Sequence, residues 1–221
     1  VKSLAERLAS VTEQVADAAR AADRDPAELT TIVVTKFHPA SLVRELADLG
    51  VTDFGENRHQ DAAPKAAELR DLAINWHFIG QLQSKKARQV AEYASTVHSV
   101  DRDSLVTALD GSSLGVFIQV NLTDDASRGG VQPAELAALA DDVLATSTLR
   151  LLGLMAVAPL DAEPRAAFAH VRELSGVLQQ RAPDATALSM GMSGDFREAV
   201  LEGATHLRIG TAITGNRPTA P

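Results

Sequence analysis

Eight short apolar runs punctuate the chain, and each of the first seven gives way to a longer segment with helical periodicity. Thr31-Ile32-Val33-Val34-Thr35 is the first such run. Others follow at residues 52–55, 76–79, 96–100, 115–121, 151–157, 187–190 and 207–210. Each is short enough, and bounded by enough turn residues, to read as a buried strand. The segments between them carry apolar residues at helical spacing, as in 57–70, 84–93, 133–144, 163–181 and 194–201. Strands joined by helical crossovers must be parallel, and a parallel sheet is covered on its faces by those helices. Eight such units in 221 residues predict a single α/β domain over 1–221, a small (β/α)8 TIM barrel. Leu4, Leu8, Val11, Val15 and Ala18 add an extra N-terminal helix within residues 1–24. The rival is a doubly wound open sheet. Even spacing favours closure, because an open sheet leaves two edges and no strand here is blunted as an edge strand would be.

Composition narrows the function. Aromatic residues are only 4% of the chain, which disfavours a β-sandwich, and there is no cysteine. Disulfides, thiolate metal sites and a cysteine nucleophile are thereby excluded. The net charge is −8 and the longest basic run is Lys85-Lys86, so neither nucleic acid nor an anionic membrane is an expected partner. No stretch approaches 18 consecutive apolar residues, and the N-terminal segment is amphipathic and charged, unlike a secretion signal. A cytoplasmic protein is the expectation. The six histidines are scattered without ligand spacing, so no metal site is expected. Residues 216–221 read as a flexible tail.

Chemically capable residues cluster just after the strand ends, which in a barrel share the C-terminal face where active sites lie. Polar residues follow strands in any α/β protein, so the argument rests on combinations. Lys36 directly extends the first strand. With its stem along the barrel interior it loses hydration, which disfavours its charged form, and a neutral amine can condense with an aldehyde. A lysine snorkelling at the rim is the alternative. Met192-Ser193-Gly194-Asp195 opens the seventh helix with Ser193 as its expected N-cap, and Gly210-Thr211 follows the last strand. The loops after strands seven and eight are neighbours in a barrel and bind phosphate through backbone N–H groups. Ordinary capping by Ser193 and a glycine turn remains the alternative. An aldehyde-binding lysine and a phosphate cradle on one face point to a phosphorylated aldehyde, with pyridoxal 5′-phosphate (PLP) the obvious candidate.

Longer motifs carry a resemblance. Val33-Val34-Thr35-Lys36, Phe54-Gly55-Glu56-Asn57, Trp76-His77-Phe78-Ile79-Gly80, Gln119-Val120-Asn121, Gly153-Leu154-Met155, Gly191-Met192-Ser193 and Arg208-Ile209-Gly210-Thr211-Ala212-Ile213 stand in order over residues 31 to 215. They resemble the pyridoxal phosphate homeostasis protein family, also described as proline synthase co-transcribed homologues. That family is similar to the N-terminal barrel of alanine racemase and lacks its second, β-rich domain. The resemblance implies that Lys36 carries the cofactor as an aldimine, that Ser193, Gly210 and Thr211 hold its phosphate with Gly194 also in the cofactor site, and that Arg208 faces the pyridine nitrogen. Asn57 would lie near the Schiff base, and Met155 and His77 would line the barrel mouth or simply pack there. Departures from the family pattern fall at Arg58, Lys85, Arg128 and Thr214, none of them at the residues that would attach the cofactor.

Racemisation needs an acid/base on each face of the substrate adduct. In the racemases the second is a tyrosine of the β-rich domain. Here the only tyrosine, Tyr93, falls in the helix after strand three. The chain is therefore expected to bind and carry PLP, with no catalytic residue assigned, and its protein partners would be PLP-dependent apoenzymes. A small PLP-dependent enzyme, such as a weak amino-acid racemase, is the alternative. Without the racemase β-domain, a monomer is expected.

Overall fold

The computed structural model describes residues 2–216, so most of the expected tail lies outside the described residues. Eight parallel strands close into a barrel in chain order: β1 (Thr30–Val34), β2 (Asp53–Glu56), β3 (Asn75–Phe78), β4 (Thr96–Val100), β5 (Gly115–Gln119), β6 (Arg150–Met155), β7 (Ala187–Ser189) and β8 (His206–Ile209). Closure is made by β1 against β8, with Thr30 opposite His206 and Val33 opposite Ile209. Around the barrel lie α1 (Leu4–Ala21), α2 (Ala40–Asp48), α3 (His59–Glu68), α4 (Ala87–Ala91), α5 (Asp103–Leu109), α6 (Leu136–Leu144), α7 (Pro164–Gln179), α8 (Phe196–Leu201) and α9 (Thr211–Thr214). The fold is the (β/α)8 barrel with an extra N-terminal helix that the alternation predicts.

Strand periodicity divides the side chains between two environments. Val33, Phe54, Trp76, Val116, Leu154 and Leu207 face the helices and belong to one continuous apolar core. Their neighbours turn into the barrel, and several are polar: His77, His98, Ser189, His206 and Arg208. α1 begins with a capping box, in which the Ser3 hydroxyl accepts from the Glu6 N–H and the Glu6 carboxylate accepts from the Ser3 N–H. It lies against the α8–α9 end of the barrel. The Arg7 guanidinium donates to the Ile213 carbonyl at 2.7 Å, and Arg24 donates to the carbonyls of Val200 and Ala204 at 3.1 and 2.8 Å.

Ser193 does not cap α8. The helix begins later, at Phe196, with Asp195 in the capping position, and the Asp195 carboxylate accepts from the Met192 N–H at 2.6 Å. This leaves the Ser193 hydroxyl facing the start of α9. α9, one turn long, has no counterpart in the sequence reading, which treats residues 208–211 as the last strand and its exit.

Candidate functional site

A cleft of about 270 Å³ opens at the C-terminal end of the barrel. It is walled by the ends of β1 and β8 and by the loop after β7. Lys36, Asn57, Met155, Ser193, Gly194, Arg208, Gly210 and Thr211 all line it, together with the apolar Val34, Ile79, Val157 and Met192. The structure thus brings eight of the nine expected residues into one cavity, although they come from five segments of the chain.

Lys36 stands just beyond β1, which ends at Val34. The chain turns there, with Phe37 at φ 69° and the His38 N–H donating to the Thr35 carbonyl at 3.0 Å. The Lys36 side chain is consequently exposed at the mouth instead of running along the barrel interior, and the desolvation expected of it is absent. Among the described residues it has no hydrogen bond or ion pair. The next residue back is held firmly. The Thr35 hydroxyl donates to Glu56 Oε1 at 2.7 Å, and Lys65 Nζ donates to the Thr35 carbonyl at 2.9 Å and to Glu56 Oε1 at 2.5 Å. Glu56 is thus an ion-pair partner on a buried strand end.

Asn57 follows β2 and is pressed against the exit of β3. Gly80 permits this approach, since a Cβ there would lie 2.0 Å from the Asn57 carbonyl oxygen. The Asn57 side-chain oxygen is buried and has no hydrogen-bond partner among the described residues. Buried polar atoms are almost always hydrogen-bonded, so this acceptor is set to receive a donor from outside the chain.

On the other wall, the Ser193 hydroxyl accepts from the Ala212 N–H at a long 3.4 Å and links the β7–α8 loop to α9. Gly191, at φ 94° and with the Ala199 methyl 2.6 Å from where a Cβ would be, lets the chain leave β7 and pass tightly over α8. Nothing lies within 4 Å of a Cβ position on Gly194. The backbone N–H groups of Ser193, Gly194 and Thr211 have no described acceptor in the chain. Free N–H groups flanked by two hydroxyls suit an anion.

Arg208 and Met155 form the floor, at 5% and 2% exposure. The Arg208 guanidinium donates to Ser189 Oγ at 2.8 Å and to the Ala156 carbonyl at 2.9 Å. Burial lowers its pKa to about 10, with Asp195 opposing the shift. It stays a cation at neutral pH and keeps N–H groups to spare for a ligand.

His77 is not at the mouth. Strand alternation sends Trp76 and Phe78 toward the helices and His77 into the barrel, where its ring bonds to Asp53 and His98. Tyr93 lies outside the cleft. Its ring stacks on His59 at 5.9 Å, and burial raises its pKa. The apolar wall and the residues behind Arg208 were not singled out by sequence. A polar residue inside an otherwise apolar strand, as at Ser189 or His98, is the signal that marks the latter. Among the described residues no group of three His, Asp or Glu side chains could hold a metal ion, and no helix is long and apolar enough to cross a membrane.

Known proteins share this frame. The family model described as "Alanine racemase, N-terminal domain" matches residues 7–218. A pyridoxal phosphate homeostasis protein of Pseudomonas aeruginosa is 45% identical, over 98% of this chain and 97% of its own length. PipY of Synechococcus elongatus, solved without PLP, superposes with a TM-score of 0.87 at 40% identity, covering 96% of this chain and 100% of its own. Its structure with PLP bound gives 0.85 at 39% identity over the same shares. With a near full-length relative at that identity and the barrel model spanning almost every residue, the chain belongs to the pyridoxal phosphate homeostasis protein family, built on the alanine racemase N-terminal domain.

Proposed function

We propose that the chain binds PLP in this cleft and carries it, in place of turning over a substrate. The observation that carries the reading is the convergence of an exposed, unpaired lysine, an anion cradle and a buried cation on one cavity. When bound, PLP supplies an aldehyde that condenses with a primary amine. Lys36 is the amine at the mouth. The N–H groups of Ser193, Gly194 and Thr211 and the two hydroxyls hold the phosphate, and Gly210 brings the backbone close. Asn57 offers its unpartnered oxygen to the cofactor.

Arg208 faces the pyridine nitrogen. A guanidinium there disfavours a second positive charge, so the nitrogen stays unprotonated and the ring is a weak electron sink. A proton abstracted beside the amine would be poorly stabilised. Among the described residues the cleft offers no second acid/base to oppose Lys36, since Tyr93 packs elsewhere. Both features suit storage and release of a reactive aldehyde. A cytoplasmic monomer that hands PLP to apoenzymes is the corresponding role in the cell.

The test is covalent mapping. Protein stripped of cofactor is mixed with PLP, reduced with borohydride and digested. The expected adduct is on Lys36, and Lys36→Ala loses both the adduct and the visible absorption. A label on Lys85 or Lys86, or an unlabelled wild type, overturns the proposal.

A further inference from the structure

The barrel interior holds a chain of hydrogen bonds that the cofactor reading does not use. Asp53 Oδ1 lies 2.9 Å from His77 Nε2, and His77 Nδ1 lies 2.9 Å from His98 Nε2. His98 Nδ1 lies 2.8 Å from Ser189 Oγ, which accepts from Arg208 at 2.8 Å. Five strands contribute one residue each, so the chain runs from the N-terminal end of the barrel to the floor of the cleft.

Its direction follows from donor chemistry. Arg208 only donates and an ionised Asp53 only accepts. His77 Nε2 must therefore carry the proton it gives Asp53. A neutral His77 then accepts at Nδ1, so His98 donates from Nε2 and accepts at Nδ1 from the Ser189 hydroxyl. Every hydrogen bond points from the cation to the anion. Bonds aligned in this way polarise one another in a low-dielectric interior.

We propose that Asp53, His77, His98 and Ser189 are positioning residues, one oriented relay that fixes the Arg208 guanidinium at the floor of the cleft. The reach of this relay to the cofactor rests on the assignment of Arg208 to the ring nitrogen. Packing surrounds it closely. The His98 ring stacks on Phe117 at 4.5 Å, and His206 stands edge-on to Phe117 at 5.1 Å and holds Thr205 Oγ1 at 2.8 Å. Burial, the largest cause, and the Arg208 guanidinium lower the pKa of His98 and keep that ring neutral. A proton added to His77 would turn His98 around. Ser189 would then have to accept two hydrogen bonds with its own proton left unpaired. The Asp53 end is partly open to water and also accepts from Thr52 and Asn75. A change of charge at one end of the barrel is thereby felt at the other.

The test reads ring tautomers in the full chain, labelled with ¹⁵N-histidine and free of cofactor. His77 and His98 should each carry a proton on Nε2 and a bare Nδ1. A protonated Nδ1 on either ring overturns the relay, and this measurement needs no variant. Asp53→Leu should turn His98 into a mixture of tautomers, although Asp53 does not touch it. An unchanged single tautomer at His98 in that variant also overturns the relay. With PLP, Ser189→Ala should weaken binding about tenfold, the scale of a lost hydrogen bond to a charged group, and Ser189→Thr should restore it. Wild-type affinity in Ser189→Ala would detach the relay from the cleft. Failure of wild-type protein to bind PLP would sink the cofactor reading alone, and the tautomers would still decide the relay.

Discussion

Gly80 shows how closely single positions are constrained around the cleft. Its Cα faces the Asn57 backbone with no space for a methyl group, 2.0 Å from the carbonyl oxygen. Gly80→Ala must push β2 and β3 apart at their exits. Overpacking of this kind costs about 1–3 kcal/mol, so the urea midpoint should fall and PLP affinity should fall with it as Asn57 moves. An alanine variant with wild-type stability and affinity would contradict the contact. His206 carries a second prediction. Its pKa in the folded protein is about 4, against an ordinary 6.5, chiefly because burial disfavours the cation. The unfolded chain takes up a proton between those values that the folded chain refuses. Stability present above pH 6.5 is thus lost as the pH falls toward 4, by at most about 3 kcal/mol. His98 shifts in the same direction and adds to the loss. Urea midpoints at pH 7 and pH 4.5 check this, and equal midpoints would refute it. Lys36, Asn57, Ser193 and Arg208 were readable because each sits at a strand end, where the barrel itself defines a face. The relay was not. His98 and Ser189 are 91 positions apart, and only the closing of the sheet makes them neighbours.

The elements themselves were readable where an apolar run was flanked by turn residues, and their ends were not. β1, β4 and β6 fall within a residue or two of the expected spans. The start of α8 was misplaced because Ser193 and Asp195 are both good capping residues, and the choice between them is made by the tertiary contact of Ser193 with α9. α9 is a single turn with no periodicity to detect. It is held from outside, by Arg7 of α1 donating to the Ile213 carbonyl at 2.7 Å. That bond reaches the helix whose first residue, Thr211, lines the cleft as part of the proposed anion cradle. Arg7→Ala should leave the barrel folded and loosen α9. A hydrogen bond from a charged donor contributes about 1.5–3 kcal/mol, so exchange of the Thr214 and Gly215 amides should quicken at least about tenfold. PLP affinity should drop in parallel. Unchanged exchange at those amides would show that α9 does not depend on α1.

A closed barrel has no edge, but its seams are unequal. β5 and β6 share five register pairs, from Gly115 opposite Arg150 to Gln119 opposite Met155. β7 and β8 share one, Ser189 opposite His206. Backbone bonds beyond the strand ends complete that seam, from Met190 N–H to the His206 carbonyl at 3.1 Å and from Arg208 N–H to the Gly191 carbonyl at 2.9 Å. The proposed anion cradle lies directly above it, with Ser193 and Gly194 on one side and Gly210 and Thr211 on the other. A ligand held by both loops and by Lys36 spans the shortest contact in the sheet and the β8–β1 closure together. At a free concentration a hundredfold above its dissociation constant, PLP should raise the unfolding free energy by about 2.7 kcal/mol. Local opening at the Met190 and Arg208 amides should be suppressed by more than opening at β5–β6, because the ligand bridges only the former. Pyridoxal without its phosphate can engage Lys36 but not the cradle, and should protect the seam far less. Equal protection by the two compounds would mean that the loops after β7 and β8 do not hold the phosphate.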